Sequence, residues 1–223
     1  MKILFVSATK FEILPLLKHL ENTATAISEN EFVLTSLHIS YLITGVGALH
    51  TSCSLSMELN KTSYDLIINM GIGGAFDKNI PLGSVFNVNV EKFGDLGVEL
   101  ADESFSDIFE IGLMNKNSYP YLNGLLILPN PHFVNLPEAR GFTVNKVTGS
   151  SKSISKLKDN YNPDLESMEG AGFVYTVLMY KVNAIQLRAI SNHVEPRNKS
   201  NWNIPLAIQN LNNVAIDILS DLN

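Results

Sequence analysis

Glu166-Ser167-Met168-Glu169-Gly170-Ala171-Gly172-Phe173 is the stretch on which the fold turns. An extended segment ending near Ser167 hands over to an apolar helix from about Ala171 to Tyr180, so Glu166 and Glu169 bracket a methionine at the C-terminal end of a strand. In an open α/β sheet that is where ligands bind. A plainer account is also open: Glu169 as an acidic residue favoured by a helix N-terminus, with Gly170 and Gly172 letting helix pack on strand. A second stretch weighs against it. Arg188-Ala189-Ile190-Ser191-Asn192-His193-Val194-Glu195-Pro196-Arg197 follows the next apolar strand and brings charged and amide groups to the same sheet edge.

Working outward, Lys2 to Ser7 is continuously apolar, as in a buried central strand, and a helix follows from about Phe11 to Leu20. Phe32 to Leu37 and Ile39 to Thr44 read as two closely joined strands, and Gly45-Val46-Gly47 opens a helix to about Leu59. Asp65 to Asn69 is an apolar strand expected to end in a glycine turn, Gly71 to Gly74, and Gly83 to Phe93 alternates as a strand does. Between Gly94 and Leu136 Pro120, Pro129 and Pro131 break regularity, which predicts loops around short elements. Phe142 to Thr148 and Asn183 to Ile190 complete the strands, and Ile204 to Leu219 is an amphipathic closing helix. Alternation of strand and helix predicts an α/β fold in one domain spanning residues 1–223, without repeats.

Composition narrows the function. A chain of 223 residues, 45% hydrophobic, can bury one large core. A net charge of -6 argues against nucleic acid or an anionic membrane surface, which call for clustered Lys and Arg. Only Arg140, Arg188 and Arg197 are arginines, and two of them share one short segment. The single Cys53 excludes an internal disulfide and is expected to be a buried hydrophobe. Lys10 and Glu12 interrupt the apolar start before a signal-peptide core can form, so a cytoplasmic protein is expected.

Several motifs carry no chemistry. Gly71-Ile72-Gly73-Gly74 is not placed for a dinucleotide fingerprint, since the first βα turn, Ser7-Ala8-Thr9-Lys10, holds no glycine. Gly149-Ser150-Ser151-Lys152-Ser153 lacks the upstream glycine spacing of a phosphate loop. His19, His38, His50, His132 and His193 show no paired spacing, so neither a metal nor another cofactor is expected.

What remains is a constellation at strand ends, and its pieces in order resemble the purine nucleoside phosphorylase and nucleosidase superfamily. They are Glu12, Thr44-Gly45-Val46-Gly47, Asn69-Met70-Gly71-Ile72-Gly73-Gly74, Glu166-Ser167-Met168-Glu169-Gly170-Ala171, and Arg188-Ala189-Ile190-Ser191-Asn192. Val194, Pro196-Arg197 and Trp202 are similar to the futalosine-hydrolysing branch. The resemblance implies a three-layer α-β-α sandwich with a central mixed, partly barrel-like sheet. It implies a small-molecule nucleoside substrate, no cofactor, and a homodimer or larger homo-oligomer.

The resemblance also implies roles. Glu12 activates water, Arg188 stands near the water or phosphate position, and Asn192 faces the leaving base. Ile72, Gly73, Thr148, Met168, Glu169, Ser191 and Arg197 bind substrate, with Glu169 on the ribose hydroxyls and Arg197 the first choice for a benzoate carboxylate, ahead of Lys199 and Arg140. These roles suit an oxocarbenium-like transition state, which needs a held sugar, a delivered water and a stabilised leaving group. Two departures matter. Adenine-cleaving nucleosidases carry an aspartate where this chain has Asn192, and an amide donates to N7 and O6 of a 6-oxopurine but supplies no proton. Ile72 stands where those enzymes have serine, which weakens any phosphate site. The expected function is hydrolysis of futalosine to hypoxanthine and dehypoxanthinyl futalosine in menaquinone biosynthesis. The alternatives are a methylthioadenosine/S-adenosylhomocysteine nucleosidase, a phosphorylase, and a purine-binding protein without catalysis.

Overall fold

The computed structural model describes the backbone of residues 1–129 and 134–223, and the side chains of all of these except 156 and 158–160. Pro131 and His132, used above to argue for loops and against a metal, lie outside the described residues.

The chain opens with β1 (Lys2–Ser7) and α1 (Lys10–Thr23), then three strands, β2 (Thr25–Ser28), β3 (Glu31–Leu34) and β4 (Leu37–Ile43). There follow α2 (Ala48–Leu59), β5 (Leu66–Ala75), β6 (Val85–Phe93) and the short β7 (Gly97–Glu99), β8 (Phe105–Asp107) and β9 (Leu126–Ile127). The last third holds β10 (Glu138–Thr143), α3 (Ser151–Tyr161), β11 (Leu165–Ser167), α4 (Gly170–Tyr180), β12 (Ala184–His193) and α5 (Ile204–Leu222).

The main sheet runs β11-β10-β6-β12-β5-β1-β4-β3-β2. A further antiparallel pairing, Leu165 with Ala75 and Glu166 with Gly74, joins β11 back to β5. Strands β5, β12, β6, β10 and β11 thus close into a ring of mixed direction, the barrel-like part of the expected sheet. Strand alternation sorts the two cores. Ile3 and Phe5 pack with Leu16, Leu20 and Leu211 of α1 and α5, whereas Leu4 and Val6 pack with Leu55, Phe173 and Val177 of α2 and α4. Helices therefore cover both faces, as a three-layer fold requires. Among the described residues no helix is long and apolar enough to cross a membrane.

Three expectations are corrected, and one helix is found where no element was expected. The glycines after Asn69 do not form a turn; they continue β5 to Ala75, paired with β12 through Arg188↔Gly71 and Asn192↔Gly74. The strand predicted over 142–148 is β10, which ends at Thr143, because Asp95 pulls the chain off the sheet by accepting from Asn145 N at 2.6 Å and Nδ2 at 3.0 Å. The segment beginning at Ser151 is a helix, with Ser150 Oγ accepting from Ser153 N at 3.2 Å in the manner of a cap. Cys53 is exposed, on the same outward face of α2 as Leu49 and Met57, since the spacing of the three turns them all away from Thr51 and Leu55.

Candidate active site

A cavity of about 300 Å³ opens where β1, β5, β11 and β12 end. Each wall comes from a strand end or from the helix start that follows it. Strand β1 hands over to α1 through Ser7-Ala8-Thr9, and Glu12, in the first helical turn, reaches back across that junction. Its Oε2 accepts from Thr9 N at 3.1 Å, from Thr9 Oγ1 at 2.8 Å and from Ser7 Oγ at 3.4 Å. Its Oε1 accepts from Ile72 N at 3.2 Å. Glu12 is therefore a helix-start carboxylate, as the plain reading of this position has it, and at the same time lines the cavity. The two roles share one side chain because the fold puts the helix start at the mouth of the site.

Glu169 is the N-cap residue of α4, and its Oε1 accepts from Gly47 N at 3.0 Å. Gly47 has φ +102, a conformation glycine adopts without strain, and there its N–H points at the carboxylate. Burial pushes the Glu169 carboxyl above the usual range, opposed by the positive charge of Arg188 and by the Gly47 N–H. Beside it, Met168 also lines the cavity.

Asn192 is fixed by both ends of its amide. Ser191 Oγ lies 2.8 Å from Asn192 Oδ1, and Asn192 Nδ2 donates to His193 O at 3.0 Å. The amide nitrogen keeps a second hydrogen for a ligand. Across the cavity Thr148 donates its backbone N–H to Glu166 Oε1 at 2.9 Å and its hydroxyl to Glu166 Oε2. Burial raises the Glu166 carboxyl, and these two donors oppose the rise.

Of the residues anticipated from sequence, Glu12, Ile72, Gly73, Thr148, Met168, Glu169, Ser191, Asn192 and Arg197 all line this cavity. Arg188 does not. It is 1% exposed behind the wall, donating through Nη1 to Asn69 Oδ1 at 2.6 Å and Leu187 O at 3.0 Å. Gly71 separates it from Glu12: a Cβ there would stand 3.3 Å from Glu12 Oε1 and 3.5 Å from Arg188 Cζ. Arg197 stands at the exposed mouth with its guanidinium 5.0 Å from the Trp202 ring centroid, a cation–π distance. Arg140 is engaged elsewhere, paired with Asp164 at 3.2 Å, and neither it nor Lys199 lines the cavity.

Sequence reasoning gave no role to the apolar mouth, Phe11, Val46, Val147 and Ile204, or to Glu166. Phe11 and Val46 flank residues already singled out, and a large apolar residue beside a functional one was the available signal. No group of three or more His, Cys, Asp or Glu that could hold a metal occurs among the described residues.

Glu91 lies behind the site, completely buried, accepting from Gln186 Nε2 at 2.8 Å and Thr143 Oγ1 at 2.9 Å. Thr143 Oγ1 in turn accepts from Ala171 N at 2.7 Å, which ties this carboxyl to the start of α4 and so to Glu169. Burial pushes Glu91 up to about 7 despite the neighbouring Arg188.

No family model matches the chain. It is 30% identical over 179 residues to the futalosine hydrolase of Streptomyces coelicolor, covering 75% of this chain and 72% of that protein. The Thermus thermophilus futalosine hydrolase is 27% identical, with 81% of each chain covered. A methylthioadenosine/S-adenosylhomocysteine nucleosidase from Maridesulfovibrio salexigens is 23% identical over 87% of each chain. Among solved structures, that of Helicobacter pylori futalosine hydrolase matches with a TM-score of 0.79 at 14% identity over 99% of this chain and 98% of that one. The Colwellia psychrerythraea nucleosidase in complex with adenine matches with the same TM-score, at 16% identity over 100% of this chain and 96% of that one. These two likenesses establish the fold.

The raised Glu91 carboxyl has a consequence for stability. A folded-state value near 7 against an ordinary 4.5 means the folded protein holds more protons between these pH values, so this contribution is present in full below about pH 4.5 and is lost as pH rises through 7. Glu91→Gln removes it: the melting temperature of wild type should fall more than that of the variant between pH 5 and pH 8, measured by thermal unfolding. Equal falls contradict the assignment.

At 30% identity aligned over most of both chains, the Streptomyces coelicolor relative makes the chain a member of the futalosine hydrolase family.

Proposed function

We propose that this chain is an N-glycosidase that hydrolyses futalosine to hypoxanthine and dehypoxanthinyl futalosine, a step of menaquinone biosynthesis, in the cytoplasm. The observation that carries the choice of base is the fixed amide of Asn192. Ser191 on Oδ1 and His193 O on one N–H set the orientation of the amide, and its second N–H is the donor it offers a ligand. N7 and O6 of hypoxanthine are both acceptors, whereas adenine presents an acceptor and a donor on that edge.

The chemistry follows from where charge develops. As the bond from the anomeric carbon to purine N9 breaks, the sugar becomes oxocarbenium-like and the base takes the electron pair. Asn192 stabilises the negative base by hydrogen bonding. The Glu169 carboxylate accepts from the ribose hydroxyls, with Met168 against the sugar, and its negative charge favours the cationic sugar. Water adds to the anomeric carbon and gives a proton to Glu12, which later releases it so that the purine leaves neutral. Three donors already hold Glu12 Oε2, whereas Oε1 carries only the Ile72 N–H and is the atom with capacity for water. Arg188, separated from Glu12 by Gly71, does not line the cavity and supplies positive charge that favours the ionised form of Glu169.

Beyond the sugar, the apolar mouth and Arg197 suit the benzoate of futalosine, ring against Phe11, Val46 and Trp202 and carboxylate to the guanidinium. A phosphorylase is disfavoured because Ile72 offers only a backbone N–H, which Glu12 takes. A homodimer or larger assembly is part of the proposal. Val46 (47% exposed), Leu49 (76%) and Met57 (58%) place an apolar stripe next to the cavity mouth.

Glu12→Gln should lower kcat by about a hundredfold or more while leaving KM for futalosine within a few-fold, because the base acts on the bound complex. Near-normal turnover contradicts the role of Glu12. Asn192→Asp sets an ionised acceptor against O6, costing about 1–3 kcal/mol, and restores an acid for an adenine leaving group. Activity on futalosine should fall and relative activity on its 6-amino analogue rise. If both activities fall in proportion, Asn192 merely caps its loop.

A further inference from the structure

Glu166 is a buried, titratable side chain in the cavity wall that the mechanism above does not use. It is 5% exposed and lines the cavity, and among the described residues no Lys or Arg pairs with it. The neighbouring charge that acts on it, Asp95, repels. A buried carboxylate without a cation is costly unless donors satisfy it. Thr148 provides two, one to each oxygen. A carboxylate has about four acceptor positions, so each oxygen retains one.

The strand register says what stands opposite. Glu166 on β11 and Asn192 on β12 both pair with Gly74 on β5, the strand between them. Neighbouring strands lie about 4.8 Å apart, so the two backbones stand about 10 Å apart across one glycine. Gly74 carries no side chain, and the space a Cβ would take there is filled by Asn192 Nδ2, at 3.0 Å, and Val194 Cγ2, at 3.1 Å. Glu166 and Asn192 line the same cavity, an acceptor on one flank and a donor on the other.

Resting on the 6-oxopurine reading above, we propose that Glu166 is a second base-reading residue, accepting the N1–H of the purine while the free N–H of Asn192 is shared between N7 and O6. A 6-oxopurine carries a hydrogen on N1; adenine has a lone pair there. A carboxylate facing N1 therefore attracts the first and repels the second. Thr148 orients the carboxylate, and an N1–H donor supplies the third hydrogen bond that its burial leaves wanting. Selectivity for the base is then a two-point match, donor and acceptor at opposite edges, in which either residue alone gives only part of the discrimination.

Calorimetric titration of the full-length protein with hypoxanthine and with adenine tests this. Wild type should bind hypoxanthine the tighter. In Glu166→Gln, whose amide keeps the size of the side chain and can donate to adenine N1, and in Glu166→Ala, the preference should fall at least tenfold with adenine binding unchanged or improved. If Glu166 only holds the Thr148 loop, both bases weaken together and the ratio stays as in wild type, which overturns the proposal; the isosteric glutamine decides if the alanine variant does not fold. A wild type without preference for hypoxanthine contradicts the 6-oxopurine reading itself. A wild-type preference that survives both substitutions removes Glu166 alone and leaves the base to Asn192.

Discussion

The pairing of β11 with β5 is the constraint on which the rest of the molecule depends. It is only two residues long, Leu165 with Ala75 and Glu166 with Gly74, yet it turns an open sheet into a closed ring. The approach is close enough that β5 must lack side chains there. A Cβ on Gly73 would stand 2.9 Å from the Glu166 carbonyl oxygen, a distance that real Cβ atoms essentially never show. The same bare strand brings Glu166, Asn192 and Ile72 within reach of one cavity. Fold closure and site assembly are thus one event, and a larger residue at 73 disturbs both.

Inside and behind this ring sits an unusual concentration of charge. Arg188, Glu91 and Glu169 are all buried, with Glu12 at 8% exposure beside them. Bringing such groups out of water is expensive, and removing one member of a buried set costs more than its pairwise attraction suggests. Arg188 is the common counter-charge, lowering both Glu91 and Glu169 against the effect of burial. Glu91, deepest, rises to about 7, while the carboxylates facing the cavity are held by backbone and hydroxyl donors from Thr9, Ile72 and Gly47. Those donors come from helix starts and from β5, so backbone geometry and site electrostatics are set by the same residues.

Much of this was legible in the sequence because strand ends and helix starts are local. Glu12, Met168 with Glu169, and Ser191 with Asn192 each sit within a few residues of a change from extended to helical or loop pattern, and all reach the cavity. What could not be read is nonlocal. Gly71 to Gly74 look like a turn by composition, and only the closeness of β11 and β12 makes them strand. Arg188 lies only three residues before Ser191 but behind the wall, and the bulge between Ile190 and Asn192 breaks the strand alternation where the chain reaches the cavity. Glu166 and Thr148 are 18 residues apart with α3 between them, so their bond leaves no mark on local pattern. Cys53 went the other way, since apolar neighbours do not reveal which face of α2 is outward.

The central claim is that water, activated by Glu12, and not phosphate, takes the anomeric carbon. Mass spectrometry of the sugar product formed from futalosine in ¹⁸O-labelled water with phosphate present tests it most directly. The account predicts free dehypoxanthinyl futalosine carrying one atom of ¹⁸O, at a rate that added phosphate does not raise. A sugar 1-phosphate, or release of hypoxanthine only when phosphate is supplied, contradicts it.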